Sequence, residues 1–199
     1  MTATSPAHHG DTTRMWQSLL KAMDAAADTA VARTIDDVAA LMHDLTSHAL
    51  ATVCDADESL PWGRYLVHAD PASRYNLQLD VFSPGYHGEV HAHETWGIFW
   101  VLRGELIVVD HELDGAAVRT QRASRLGPGA SQCFCPPASD WHRVATPADG
   151  PQTISLHLYG PGFDLDVGRS FVAGEPRTYH RRPFGALAQV RRAFRARPA

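Results

Sequence analysis

From Tyr65 onward the chain is cut into short apolar runs by turn residues. Tyr75-Asn-Leu-Gln-Leu-Asp-Val-Phe82 alternates apolar and polar positions, and Pro84-Gly85 ends it. Thr95 to Leu102 is an apolar run broken by Arg103-Gly104. Leu106 to Val109 resumes it, and Asp114-Gly115 is a hairpin signal. Gly127-Pro128-Gly129 and Pro136-Pro137 punctuate the next stretch. Thr153 to Tyr159 alternates again and stops at Gly160-Pro161-Gly162. Strands this short, recurring every ~8–12 residues, predict an all-β barrel or sandwich.

The N-terminal third has another texture. Leu19, Leu20, Met23, Ala27 and Ala30 recur at helical spacing. Val38, Leu41, Met42 and Leu45 do so again after Thr34, a capping residue with Asp36 and Asp37 in the first turn. Two or three helices are therefore expected over 14–54, a β-barrel over 62–174, and a basic tail over 175–199 that packs on the barrel or extends from it. The tail holds seven of the 17 arginines. Within it Phe184, Leu187, Val190 and Phe194 have the spacing of an amphipathic surface helix. The whole of 1–199 reads as a single domain, because a chain of this length buries most of its apolar surface in one core.

Composition excludes several classes of partner. The net charge of −4 gives no global electrostatic attraction to nucleic acid or an anionic membrane. No apolar run approaches the ~20 residues that span a bilayer. Residues Met1 to Gly10 lack the apolar stretch of a signal peptide. Three cysteines, Cys54, Cys133 and Cys135, cannot build a disulfide framework, so the expected setting is a reducing cytoplasm. Cys133 and Cys135 are expected as buried strand residues, and the chain as a monomer or homodimer.

Histidine is abundant, at 12 residues. His91 and His93 are two apart, so on a strand both imidazoles face one way and can chelate one ion. His142 closes the segment Pro137-Ala-Ser-Asp-Trp-His142, and a strand returning it to that face completes a three-histidine site. His87 has the same parity as His91 and is a rival ligand. Glu89 and Glu94 are candidate carboxylates, but each lies an odd number of positions from the histidines and faces away on a regular strand. A second group sits on Thr153 to Tyr159. Ser155, His157 and Tyr159 alternate, so all three share a face and can form a hydrogen-bond chain.

These segments resemble the two motifs of the cupin family. Gly85, His91, His93 and Gly104 carry the spacing of the first motif, and Pro137 and His142 that of the second, with Ser139 where a glycine is usual. Gly97 stands where the family has a glutamate ligand. More narrowly, His91-Ala-His93-Glu-Thr-Trp-Gly97, Gln132-Cys133, His142-Arg143-Val144 and Ser155-Leu-His157-Leu-Tyr159-Gly-Pro-Gly-Phe163-Asp164 resemble the cysteine dioxygenase family of thiol dioxygenases. The likeness runs from about Trp62 to Phe163.

The resemblance implies a cupin double-stranded β-helix (jelly-roll) barrel preceded by helices, with one Fe(2+) per chain on His91, His93 and His142. It implies that both atoms of O2 are added to the sulfur of a small thiol, L-cysteine, with Tyr159, His157 and Ser155 as catalytic residues. Trp62-Gly-Arg64-Tyr-Leu-Val67 resembles a family segment whose arginine reads the substrate carboxylate, which assigns Arg64 to that role beside Tyr159; Trp62 replaces a family tyrosine. Vertebrate members join a cysteine to the triad tyrosine. That cysteine's place falls at Gly97, so no such cross-link is expected. The alternatives are dioxygenation of 3-mercaptopropionate or mercaptosuccinate, a metal-dependent cupin isomerase, and a non-catalytic sensor cupin.

Overall fold

The computed structural model describes residues 62–115, 117–136 and 139–186. All of them fall in one compact unit, Pro61–Leu187. The helices expected over 14–54, Cys54, Pro137 and the chain beyond residue 186 lie outside the described residues.

Eleven strands follow one another among the described residues: β1 Gly63–Ala69, β2 Asn76–Phe82, β3 Val90–Ala92, β4 Gly97–Arg103, β5 Leu106–Asp114, β6 Ala117–Leu126, β7 Ser131–Phe134, β8 His142–Ala145, β9 Thr153–Tyr159, β10 Val167–Val172 and β11 Glu175–His180. They form two antiparallel sheets, ordered β1-β2-β9-β4-β7 and β11-β10-β3-β8-β5-β6. From β3 on, the chain passes between the sheets at nearly every connection, which is the winding of a jelly-roll barrel. The exceptions are the hairpins β5–β6 and β10–β11. The first turns where the sequence predicts: Asp114 pairs with Ala117 across two residues, and Gly115 has φ +61°, a conformation glycine adopts without steric cost.

The core lies between the sheets. Phe82, Phe99, Val101, Leu106, Val108, Phe134, Val144 and Tyr159 pack together from strands of both. Burying such side chains is worth about 1.5–3 kcal/mol each before entropic costs. Every residue of β9 is buried, so its Ile154, Leu156 and Leu158 are covered on one face while Ser155, His157 and Tyr159 point to the barrel interior.

Three expectations are corrected. The barrel does not end at 174, because β11 pairs along β10 from Val172↔Glu175 to Val167↔His180. This edge strand is polar and contains Pro176, which an edge tolerates. Phe184 does not begin a helix. Its backbone is taken up instead by a bridge to Arg64 of β1. Cys133 and Cys135 are exposed rather than buried, because it is Phe134 between them that turns into the core. No helix among the described residues is long and apolar enough to cross a membrane.

A three-histidine candidate metal centre

β3 pairs with β8 at a single register point, His91↔His142. His93 follows two residues after His91 and shares its face. The three imidazoles meet, with ring centroids 4.9 Å apart for His91–His93, 4.7 Å for His91–His142 and 5.1 Å for His93–His142. Their ligating nitrogens all lie within 4.8 Å of one another, so this group could hold a metal ion.

The rings are prepared for that role. Nδ1 of His91 donates to the carbonyl of Glu89 at 3.0 Å, and Nδ1 of His142 to the carbonyl of Asp140 at 2.9 Å. A carbonyl only accepts, so both Nδ1 atoms carry the proton and both Nε2 lone pairs are free. Nδ1 of His93 is buried without a protein partner. Buried polar atoms are rarely left so, and an ion held by the three rings would take one nitrogen from each. Burial holds all three rings neutral. His91 is pushed down to about 4 by desolvation, and His93 and His142 lie well below the usual 6.5 by desolvation first and by the proximity of His91 second. Three neutral imidazoles suit zinc, iron or copper and leave a divalent ion's charge uncompensated.

The rivals sort out by contact. His87 Nε2 takes a 3.1 Å contact from Arg143 and stays outside the cluster. Glu94, at φ +60°, turns the chain after His93 and pairs with Arg169. Glu89 borders the same cavity without joining the three nitrogens. Gly97 lies opposite Tyr159 in the β4–β9 ladder and opposite Phe134 in the β4–β7 ladder. A Cβ there would meet the Phe134 ring at 2.2 Å. The space of a residue-97 side chain is thus filled by Phe134, whose ring packs on His93 and His142 with centroids 4.8 and 5.1 Å away.

Ser155, His157 and Tyr159 form the expected chain: Ser155 Oγ is 2.7 Å from His157 Nε2, and His157 Nδ1 is 3.1 Å from the Tyr159 hydroxyl. Burial lowers the pKa of His157 and raises that of Tyr159, in each case as the largest cause, so the imidazole is neutral and the phenol protonated near neutral pH. Tyr159 also stands beside His93, centroids 4.8 Å apart.

Arg64 of β1 reaches the same cavity, which has a volume of about 280 Å³ and is lined by the three histidines, His157 and Tyr159. Its Nη2 donates to Gln78 Oε1 at 3.0 Å and its Nη1 to the carbonyl of Arg182 at 3.0 Å. Its guanidinium lies over the Phe184 ring at 4.3 Å. Trp62 is at the rim, 45% exposed and tilted against Tyr86.

Four polar residues at the site were not singled out from the sequence. Gln78 and Asp80 sit opposite His157 and Ser155 in the β2–β9 ladder and face the cavity. Asp140 binds the backbone at His93, and Arg181 lines the cavity from beyond β11. The parity of 78 and 80 within the alternating run was the available signal.

No family model matches the chain. Among solved structures it is similar to a chain from the crystal structures of the DMSP lyases RdDddP and RnDddQII, at 18% identity and TM-score 0.40 over 58% of this chain. It spans only 51% of the lyase chain it matches. It is similar to TT1209 from Thermus thermophilus, at 21% identity and TM-score 0.41, over 53% of this chain and 90% of that one. It is also similar to a cupin superfamily protein from Desulfitobacterium hafniense, at 14% identity and TM-score 0.38, over 49% and 75% of the two chains.

Proposed function

We propose that this chain is an iron(II)-dependent thiol dioxygenase that converts L-cysteine and O2 to cysteine sulfinate, in the reducing setting of the cytoplasm. Both oxygen atoms end on the one sulfur, so the reaction needs no outside reductant. The observation that carries this reading is the meeting, in one small cavity, of three neutral imidazoles, a protonated tyrosine and an arginine. It rests also on the resemblance of those same residues to the cysteine dioxygenase motifs.

His91, His93 and His142 would hold the iron. Iron(II) held there would supply the Lewis acidity that favours a thiolate and the redox chemistry toward dioxygen. The protein's part is placement and charge. With no carboxylate among the three ligands, the site favours an anionic thiolate over a neutral donor. Nη1 of Arg64 already donates to the carbonyls of Arg182 and, at 3.4 Å, Leu165, whereas Nη2 retains a second N–H that a carboxylate can take. Desolvation of Arg64 strengthens that pairing, and Asp80 nearby supports its positive charge.

The chain on β9 sets the hydroxyl of Tyr159. With Ser155 donating to Nε2 of His157, the imidazole donates from Nδ1 to the phenol oxygen. The phenol hydrogen is then left for the substrate, where it stabilises charge developing near sulfur. A thiol held at Arg64 and at the histidines is fixed at both ends, which supplies orientation. Oxygen uptake by Fe(II)-reconstituted protein across a panel of thiols tests the reading. Uptake with L-cysteine and formation of the sulfinate are expected; no uptake with any thiol would overturn it.

A further inference from the structure

The cavity is bordered by more arginines than one carboxylate needs. Arg64, Arg181 and Arg182 border it, against Asp80 and Glu89. Arg182 is exposed and stacks on Trp62, its guanidinium 3.6 Å from the ring centroid. Arg181 is built differently. Its Nε donates to the carbonyls of Val167 at 2.9 Å and Asp164 at 3.1 Å, which ties the side chain to the backbone at the start of β10. Its guanidinium lies 4.4 Å over the Phe163 ring. Phe163 in turn stacks on Tyr159, with centroids 3.9 Å apart and planes 14° apart.

The anchors use Nε and one face of the guanidinium. Nη1 makes only a long 3.4 Å contact to the Tyr179 hydroxyl. Among the described residues no carboxylate pairs with Arg181, although Arg74, Arg119, Arg122, Arg125 and Arg169 each have one. Its charge is felt within the site, where it lowers the pKa of His91, His93 and Tyr159. An arginine already fixed by its anchors loses little further freedom when its terminal amines take a ligand.

We propose that Arg181 is a second anion-binding position in this cavity, so that the site accepts small thiols with two carboxylates, one held at Arg64 and the other at Arg181. The proposal rests on the thiol reading and widens it: L-cysteine uses the Arg64 position alone, and a two-acid thiol uses both. The second acid group gains charge-assisted hydrogen bonds in a partly desolvated site.

Mercaptosuccinate and 3-mercaptopropionate isolate this effect, because they differ by one carboxylate. Calorimetric titration of the full chain with each, under nitrogen, is expected to show mercaptosuccinate bound at least ~10-fold more tightly. The ratio should fall to about one in Arg181→Gln and be partly kept in Arg181→Lys, which retains a cation and a donor. A ratio near one in the wild-type protein, or an unchanged ratio in Arg181→Gln, overturns the proposal; the first of these needs no variant to fold. Oxygen uptake distinguishes the two readings. Uptake with cysteine beside a wild-type ratio of one sinks the second position alone. A ratio that depends on Arg181, without uptake on any thiol, supports the second position and sinks the dioxygenase reading.

Discussion

Asp140 holds the backbone of His93. Its Oδ1 accepts the His93 N–H at 2.8 Å, and its Oδ2 accepts the Glu94 N–H at 2.9 Å. The carbonyl of Asp140 also accepts from Nδ1 of His142. One residue thus orients two of the three candidate ligands from outside the metal position, a support of the kind that tunes metal affinity.

Asp140→Asn keeps the shape and one acceptor but turns an N–H₂ toward one of the two backbone N–H groups. A buried donor left unpaired costs about 1–3 kcal/mol. We expect metal affinity to fall by about 10–100-fold, read by metal titration, because outer partners of ligands have effects of that size. Unchanged affinity would remove Asp140 from the support of the site.

Gly97 leaves the room that Phe134 fills. Gly97→Ala puts a methyl 2.2 Å from a ring that is only 3% exposed and packed on two histidines. Overpacking of this kind costs about 1–3 kcal/mol. Thermal melts should show that loss, and Phe134→Leu in the same chain should recover part of it. A Gly97→Ala protein as stable as wild type contradicts the account of this position.

Arg64→Gln separates binding of the carboxylate from chemistry. The variant should raise the Michaelis constant for cysteine by about 10-fold or more, since a lost charge-assisted contact is worth about 1.5–3 kcal/mol. Cysteamine has no carboxylate and should be affected far less. Equal effects on the two thiols in steady-state kinetics would take Arg64 out of the carboxylate role.

Acid should destabilise the metal-free protein early. His91, His93, His142 and His157 are all held below the usual 6.5, chiefly by desolvation, His91 at about 4. As pH falls through 6.5 the unfolded chain takes up these protons and the folded chain does not. The unfolded state then binds more protons, so stability falls from pH 6.5 toward 4, by up to about 1.4 kcal/mol per pH unit for each histidine. Above pH 7 these groups contribute no slope. Denaturant titrations at pH 7.5, 6 and 5 check this; equal stabilities at pH 7.5 and 5 would show that the rings are not desolvated.

Much of the barrel is legible in the sequence because strands have a period of two. That period puts Ser155, His157 and Tyr159 on one face, and His91 with His93, without knowledge of the sheets. It does not say which face is inward. Gln78 and Asp80 alternate with Leu77, Leu79 and Val81, and only the pairing of β2 with β9 turns the polar set into the cavity. β6 is polar and exposed along most of its length, so it has no buried face to advertise it. Asp140 was silent because its carboxylate serves backbone groups 47 and 46 residues earlier. Arg181 sat in an arginine-rich stretch that reads as solvated surface, and only its ties to Val167 and Asp164 set it apart.

The most direct test is oxygen uptake with L-cysteine by the Fe(II)-reconstituted protein, with sulfinate measured in the same samples. The account predicts one O2 consumed per sulfinate formed. It predicts loss of both iron and uptake in His93→Ala, and iron kept with a rate about 10–1,000-fold lower in Tyr159→Phe. Uptake at the wild-type rate by an iron-free His93→Ala protein, or oxygen consumed without sulfinate, would contradict it.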